Sequence, residues 1–385
     1  MRTAQKAVPA RREKTEKKEK IKYFDYSLLF IIVFLVGFGL VMLYSVSAYE
    51  AQTHFHGDGL YYLKKQAEAV ALGFAGMFIV SFIPYGFWKK MSIPAYVIAL
   101  LLCIAVVALG VSSNGSKRWL EIGGFSFQPS ELAKIAIIIF MAALLSRIPK
   151  QVAKFGTVIK ILIRVAPVIL LIAYSNLSTA VIVAGICVLM IFVTSPKYSH
   201  FIVLAVLCVA AGTGGIMMMS YRADRVKAWL HPELYPDDAY QTLQGLYAIG
   251  SGGLFGKGLG GSMQKLGYVP EAQNDFIFTI ICEELGLFGA VCVILLFILL
   301  IWRFMVIANN APDLFSALIV VGVMSHIILQ VVLNIAVVTN TIPNTGVTLP
   351  FISYGGTSIA ILLSEMGLVL GVSRKIRLGS EPPVT

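Results

Sequence analysis

Apolar runs of about 20 residues recur some ten times along this 385-residue chain, and no other feature narrows its possible folds so sharply. A hydrocarbon layer about 30 Å thick needs a helix of about that length. The runs fall at approximately 24–48, 66–84, 91–111, 131–147, 158–174, 178–194, 201–219, 276–302, 314–338 and 356–373. Backbone amides in lipid find no water, so only helices or closed barrels satisfy them, and the runs lack the residue-by-residue alternation of a barrel strand. Hydrophobic residues make up 58% of the chain and charged ones 13%, which excludes an ordinary soluble domain. The expected fold is an all-α integral membrane protein, a polytopic bundle of about ten transmembrane helices with a large extracytoplasmic loop at 220–275.

An even number of spans puts both termini on one side. The first 22 residues carry nine Lys and Arg, from Arg2 to Lys22. With that tail inside, the cytoplasmic segments collect roughly 21 Lys and Arg against roughly 10 outside, the asymmetry that orients membrane proteins. The sequence therefore divides into a basic cytoplasmic tail (1–22), a transmembrane domain (23–374) and a cytoplasmic C-terminal tail (375–385), in a multi-pass cell-membrane protein with both termini cytoplasmic. The tail reads as a segment drawn to anionic membrane lipids, with no nucleic acid expected as a partner, and it is not a cleaved signal peptide. Residues 175–177 leave almost no loop between two spans; merging them into one helix would make the count odd and separate the termini. All five cysteines lie in apolar runs and read as small core residues.

Acidic residues inside apolar runs cost free energy and mark polar interiors. They concentrate in YVPEAQNDFIFTIICEELG (268–286), where Glu271 and Asp275 precede a span containing Glu283 and Glu284. Asp275 alone reads equally as the N-cap of a helix starting at Phe276. Glu283 and Glu284 lie about two turns deeper and read as structural carboxylates. The glycine-rich GSGGLFGKGLGGS (250–262) fails as a phosphate loop, because Lys257 is followed by Gly258 and Ser251 stands where a glycine is required. His54 and His56 lack the third and fourth ligands of a metal site, and His326 reads as a hydrogen-bonded packing residue. Glu131 and Lys134, three apart, share a helix face and are expected to pair. The segment NTIPNTGVTLPFISYGGTS (340–358) is too rich in proline and glycine for a helix, so it is expected to re-enter and line the cavity that holds Asp275.

Four ordered segments carry a resemblance: RWLEIGGFSFQPSELAK from Arg118, GLGGSMQK from Gly258, PEAQNDFIFTIICEELG from Pro270, and the 340–358 segment preceded by Asn334. Together, over residues 24 to 373, they resemble the SEDS (shape, elongation, division and sporulation) family. The resemblance implies a peptidoglycan glycosyltransferase that joins lipid II units at the outer face of the cytoplasmic membrane, working with a class B penicillin-binding protein. It carries the essential carboxylate onto Asp275, the membrane-embedded Glu and Lys onto Glu131 and Lys134, and the loop arginine onto Arg118. Two departures stand out. Gln273 and Asn274 replace a frequent His-Thr, and Ser175–Asn176 replace a frequent Pro-Asp, which puts a charge-based role there in doubt.

Such a reaction needs a base near the acceptor hydroxyl and positive charge near the departing undecaprenyl pyrophosphate. Asp275 is the expected base. Arg118, Arg222, Arg225, Lys265 or a divalent cation (Mg or Mn) are candidates for the charge, and Glu271 and Ser353 are further expected substrate contacts. The basic tail and the wording of 343–358 lean toward a division role. Two readings from other classes are a transporter (flippase) of the lipid-linked precursor, which suits about ten spans with broken segments, and a non-catalytic divisome scaffold, which would not need Asp275.

Overall fold

The computed structural model describes residues 24–376 apart from 56, 114, 115, 123, 124 and 218–225. Every expected span is a helix: α1 (Tyr26–His54), α2 (Tyr61–Phe82), α3 (Tyr85–Leu109), α4 (Pro129–Arg147), α5 (Phe155–Ser175), α6 (Leu177–Thr194), α7 (Ser199–Met217), α9 (Ile277–Asn309), α10 (Leu314–Val338) and α11 (Thr357–Ser373). Between α7 and α9 lies the amphipathic α8 (Pro236–Ser251). Several starts are set by short polar side chains that satisfy first-turn amides. Asp25 accepts from Leu28 N–H, and Asp313 forms a reciprocal capping box with Ser316. Asn176 resolves the question of the missing loop. Its backbone is extended (φ −151°, ψ 96°) and its side chain accepts from Thr179 N–H at 3.2 Å, so one residue ends α5 and caps α6. Among the described residues the ten expected runs are thus separate helices, eight of them long and apolar enough to cross a membrane.

α4 and α10 form the middle of the bundle, with 67% of their apolar windows buried against 22–44% for the other long spans. α2 lies along α11 because small residues let the two backbones approach, the usual device where lipid removes the hydrophobic drive between helices. A Cβ at Gly367 would stand 2.4 Å from the carbonyl oxygen of Met77, and one at Gly73 would stand 2.7 Å from Leu363 Cδ1. Backbone cannot yield as a side-chain tip can. Gly367→Val is therefore expected to lower the detergent-solubilised protein's unfolding free energy by about 1–3 kcal/mol, the usual cost of overpacking, read as a drop in Tm.

The segment before α4 lies outside every expected span. It forms an antiparallel meander, β1 (Val111–Ser113), β2 (Ser116–Ile122) and β3 (Phe125–Phe127), in the order β1-β2-β3. Leu120 faces Phe127 and Ile122 faces Phe125 across β2 and β3. Aromatic and β-branched residues in a short run favour strands when they can pair locally. Thr357 at the start of α11 donates to Ser126 O at 3.3 Å, which fastens the sheet to the bundle.

α9 is kinked at Gly286 (φ 69°, ψ −167°), a backbone conformation that essentially only glycine adopts. The glycine-rich loop after α8 fills the opening. Leu287 and Phe288 donate their N–H groups to Gly253 O and Leu254 O, while Lys257 and Gly258 donate theirs to Glu283 O and Glu284 O, all within 2.9–3.0 Å. The amides and carbonyls that the kink removes from helix bonding are thus paired inside the protein, as hydrocarbon requires.

Candidate active site

Asp275 is 9% exposed and sits two residues ahead of α9. Phe276 rather than Asp275 holds the N-cap position of that helix. Asn334, fully buried on α10, donates from Nδ2 to Asp275 O and to Val347 O, each at 2.7 Å. One carboxamide therefore joins the loop carrying Asp275 to the non-helical 339–356 segment. On the far side a Cβ at Gly346 would lie 3.7 Å from Asp275 Oδ2, so the proline- and glycine-rich segment passes beside this carboxylate.

Further polar bridges converge on the same loop. Tyr354 N–H donates to Gln273 O at 2.9 Å. Gln241 of α8 donates to Pro270 O (2.9 Å) and accepts from Asn344 Nδ2 (2.8 Å). Trp229 Nε1 donates to Asn340 O, and Ser178 Oγ donates to Thr345 O. These segments thus form one hydrogen-bonded assembly around residues 270–275. Gln66 on α2 supports it from below, donating to Ser353 O (3.1 Å) and accepting from the N–H groups of Gly355 and Gly356. The Ser353 hydroxyl, expected to contact substrate, accepts from Leu349 N–H at 2.8 Å and is 5% exposed; it shapes the turn.

Glu131 and Lys134 pair at 2.9 Å in the first turns of α4, with side chains 13% and 3% exposed. Arg118, on β2, shares a small pocket with Gln128, Pro129 and Ser130 at the same helix start, so the resemblance-derived basic and acidic residues lie near one another. Its Nε donates to Ser175 O at 3.3 Å. At this junction, where no carboxylate stands at 175 or 176, the guanidinium meets a backbone carbonyl.

One of the candidate cations has a carboxylate partner. Lys265 pairs with Glu284 at 2.7 Å, with side chains 9% and 0% exposed, and Ser45 of α1 donates to the same carboxylate at 2.8 Å. A buried glutamate requires a counter-charge, and Lys265 supplies it. The pair ties the loop that carries Lys265 to α9. Glu283 is satisfied likewise by Lys257 at 2.6 Å, by Ser262, and by the N–H groups of Met263 and Gln264. Both deep carboxylates hold the glycine-rich loop against the kink. Arg222 and Arg225 lie outside the described residues, as does His56.

Where α1 ends and α2 begins, an acidic and aromatic group adjoins Asp275's loop. Tyr62 donates to Glu50 at 3.1 Å and meets the Tyr354 ring edge-on at 5.0 Å. Glu271 adopts φ +53°, uncommon for a side chain larger than Asn, and accepts from Asn274 Nδ2. Desolvation, then the nearby Glu50 carboxylate, holds Glu271 above the ordinary carboxylate range against the pull of Asn274. A raised native pKa means that the folded protein binds more protons, so stability falls as pH rises from the ordinary range through the native value. Glu271→Gln should abolish that slope. Thermal unfolding should show the variant gaining on wild type as pH rises across this window and converging with it in acid.

Among the described residues, no three or more His, Cys, Asp or Glu side chains gather as a metal site. The polar side chains that sequence reasoning passed over are Gln66, Gln241 and Asn344. Gln66 carried a usable signal, a carboxamide at the entrance to an apolar run. Gln241 and Asn344 sit in polar stretches and carried none.

The arrangement defines a polytopic helical membrane protein in which Asp275 is held between non-helical segments at one end of the bundle. The family model described as "Cell cycle protein" matches residues 26–378, and the chain belongs to that family. It is 40% identical to Stage V sporulation protein E of Bacillus subtilis (strain 168), covering 92% of this chain and 98% of that protein. It is 35% identical to the "Probable peptidoglycan glycosyltransferase FtsW" of Geobacter sp. (strain M18), covering 93% and 99%. Among solved structures, one chain from "Structural coordination of polymerization and crosslinking by a peptidoglycan synthase complex" superposes with a TM-score of 0.77 at 28% identity, over 93% of this chain and 99% of the other. The rod shape determining protein RodA of Thermus thermophilus gives 0.67 at 27%, over 93% and 98%.

Proposed function

We propose that this chain is a peptidoglycan glycosyltransferase that polymerises lipid II at the outer face of the cytoplasmic membrane, with Asp275 as general base. The observation that carries the reading is Asp275 itself, nearly buried, with its backbone held by Asn334 and its carboxylate beside Gly346. The names of the relatives supply the substrate class. Orientation follows from the basic tail, which places the start of α1 inside and the Asp275 end of α9 outside.

In this mechanism Asp275 takes the proton of an acceptor sugar hydroxyl as that oxygen attacks the donor's anomeric carbon, and the bond to the lipid pyrophosphate breaks with inversion. Positioned bases contribute typically 10²–10⁴-fold. Arg118 and Lys134 are the cations assigned to the anionic substrate, since fixed positive charge near a departing diphosphate lowers the barrier. Magnesium or manganese would add charge neutralisation there. Mg²⁺ is generally held by one or two carboxylates plus substrate phosphates, and Glu271 is the carboxylate of this loop, besides the base, that would hold it. A class B penicillin-binding protein is the proposed partner, in keeping with the synthase complex to which the fold is similar.

The mid-membrane carboxylate that would suit a transporter is closed off: Glu365 meets His326 Nδ1 at 2.9 Å, with both side chains at most 2% exposed. Purified protein supplied with lipid II in detergent should yield a ladder of glycan chains. Lipid movement across vesicles without glycan product would make it a transporter, and neither activity would leave a scaffold. For its cellular setting, the basic tail and the 343–358 wording support division, while the higher identity to the sporulation protein supports sporulation. A tagged copy at midcell in growing cells supports the former, and one confined to the developing spore the latter.

A further inference from the structure

At the opposite end of the bundle, the start of α1 and the ends of α2 and α11 enclose a cleft of 560 Å³ that the catalytic reading does not use. Its wall is apolar, with Leu29 and Phe78 among the lining residues. Its rim carries Arg374 and Lys375. Arg374 is held in place, its guanidinium 4.2 Å from the Phe82 ring centroid and donating to Ser81 O at 3.3 Å. Asp25, the nearest acidic residue in sequence to this wall, is already paired with Arg303. No Asp or Glu lines the cleft among the described residues, so its rim charge is uncompensated within the lining.

A cleft with a long apolar wall and two cations at one end matches an amphiphile with an anionic head. We propose that it binds one anionic phospholipid of the cytoplasmic leaflet, with the phosphate at Arg374 and Lys375 and an acyl chain along Leu29 and Phe78. The volume suits such a ligand, since binding clefts commonly enclose about 300–1,000 Å³. The chain's own N-terminal tail adjoins the cleft in sequence, since Phe24 lines it. Its first 22 residues hold nine Lys and Arg against three Glu, so the rim repels it. The site is independent of the catalytic assignment and stands or falls separately.

The test is native mass spectrometry of the full-length protein released from nanodiscs of phosphatidylcholine mixed with phosphatidylglycerol. Wild type should retain one phosphatidylglycerol in preference to phosphatidylcholine. Lys375→Gln, a change at an exposed side chain, should reduce that retention about fivefold, and Arg374→Gln by at least as much. Because Arg374 also bonds Ser81, the Lys375 variant is the cleaner reading. A photoreactive phenylalanine at Phe78 should cross-link to lipid. Equal retention of both lipids, retention unaffected by Lys375→Gln, displacement by inorganic phosphate alone, or cross-linking of Phe78 to the 1–22 tail would each overturn the proposal.

Discussion

Asp275→Asn is expected to reduce glycan polymerisation by at least 10²–10⁴-fold, the range that positioned proton transfer contributes, while leaving the protein inserted and folded. The two side chains have nearly the same shape, and the bond that anchors this position is made by the backbone, from Asn334 Nδ2 to Asp275 O. What the substitution removes is the negative charge and the capacity to accept a proton. Product gels with purified protein and lipid II measure the first quantity, and unfolding temperature in detergent the second. Near-normal product would remove Asp275 from the mechanism; lost product with lost folding would mean that the carboxylate serves structure.

Lys265→Met should destabilise the protein by about 3–5 kcal/mol, because it strands the fully buried Glu284 without its counter-charge. Replacing both, Lys265→Met with Glu284→Leu, should recover most of that loss, since an apolar pair of similar volume avoids the desolvation cost altogether. The double variant separates the two roles considered for Lys265. As a tether its removal is compensated, and polymerisation returns together with stability. As a cation acting on pyrophosphate, it would leave the double variant folded but inactive. Tm and glycan yield measured on the same preparations distinguish the outcomes.

Much of the architecture was legible because lipid imposes a one-dimensional rule. A run of about 20 apolar residues must be a helix whatever its neighbours are, and all ten runs are. The Glu131–Lys134 pair was legible for a similar reason, since residues three apart on a helix meet by geometry alone. The β1–β3 meander was less so: short aromatic strands become a sheet only when they pair, and their pattern is weak beside ten strong helical ones.

Sequence by itself determined that the chain crosses the membrane, which segments are helical and which break, and where carboxylates enter apolar runs. These follow from local hydrogen bonding and from the cost of polar groups in hydrocarbon, both properties of short stretches. Only the tertiary structure decided which partner each polar group takes. Lys265 went to Glu284 rather than to an open cleft, Asn334 tied Asp275 to Val347, and Gly286 opened α9 to receive the loop at Gly253–Gly258. The reason is that a buried charge or amide is satisfied by whatever the fold brings within about 3 Å, and residues far apart in the chain carry no local mark of that meeting.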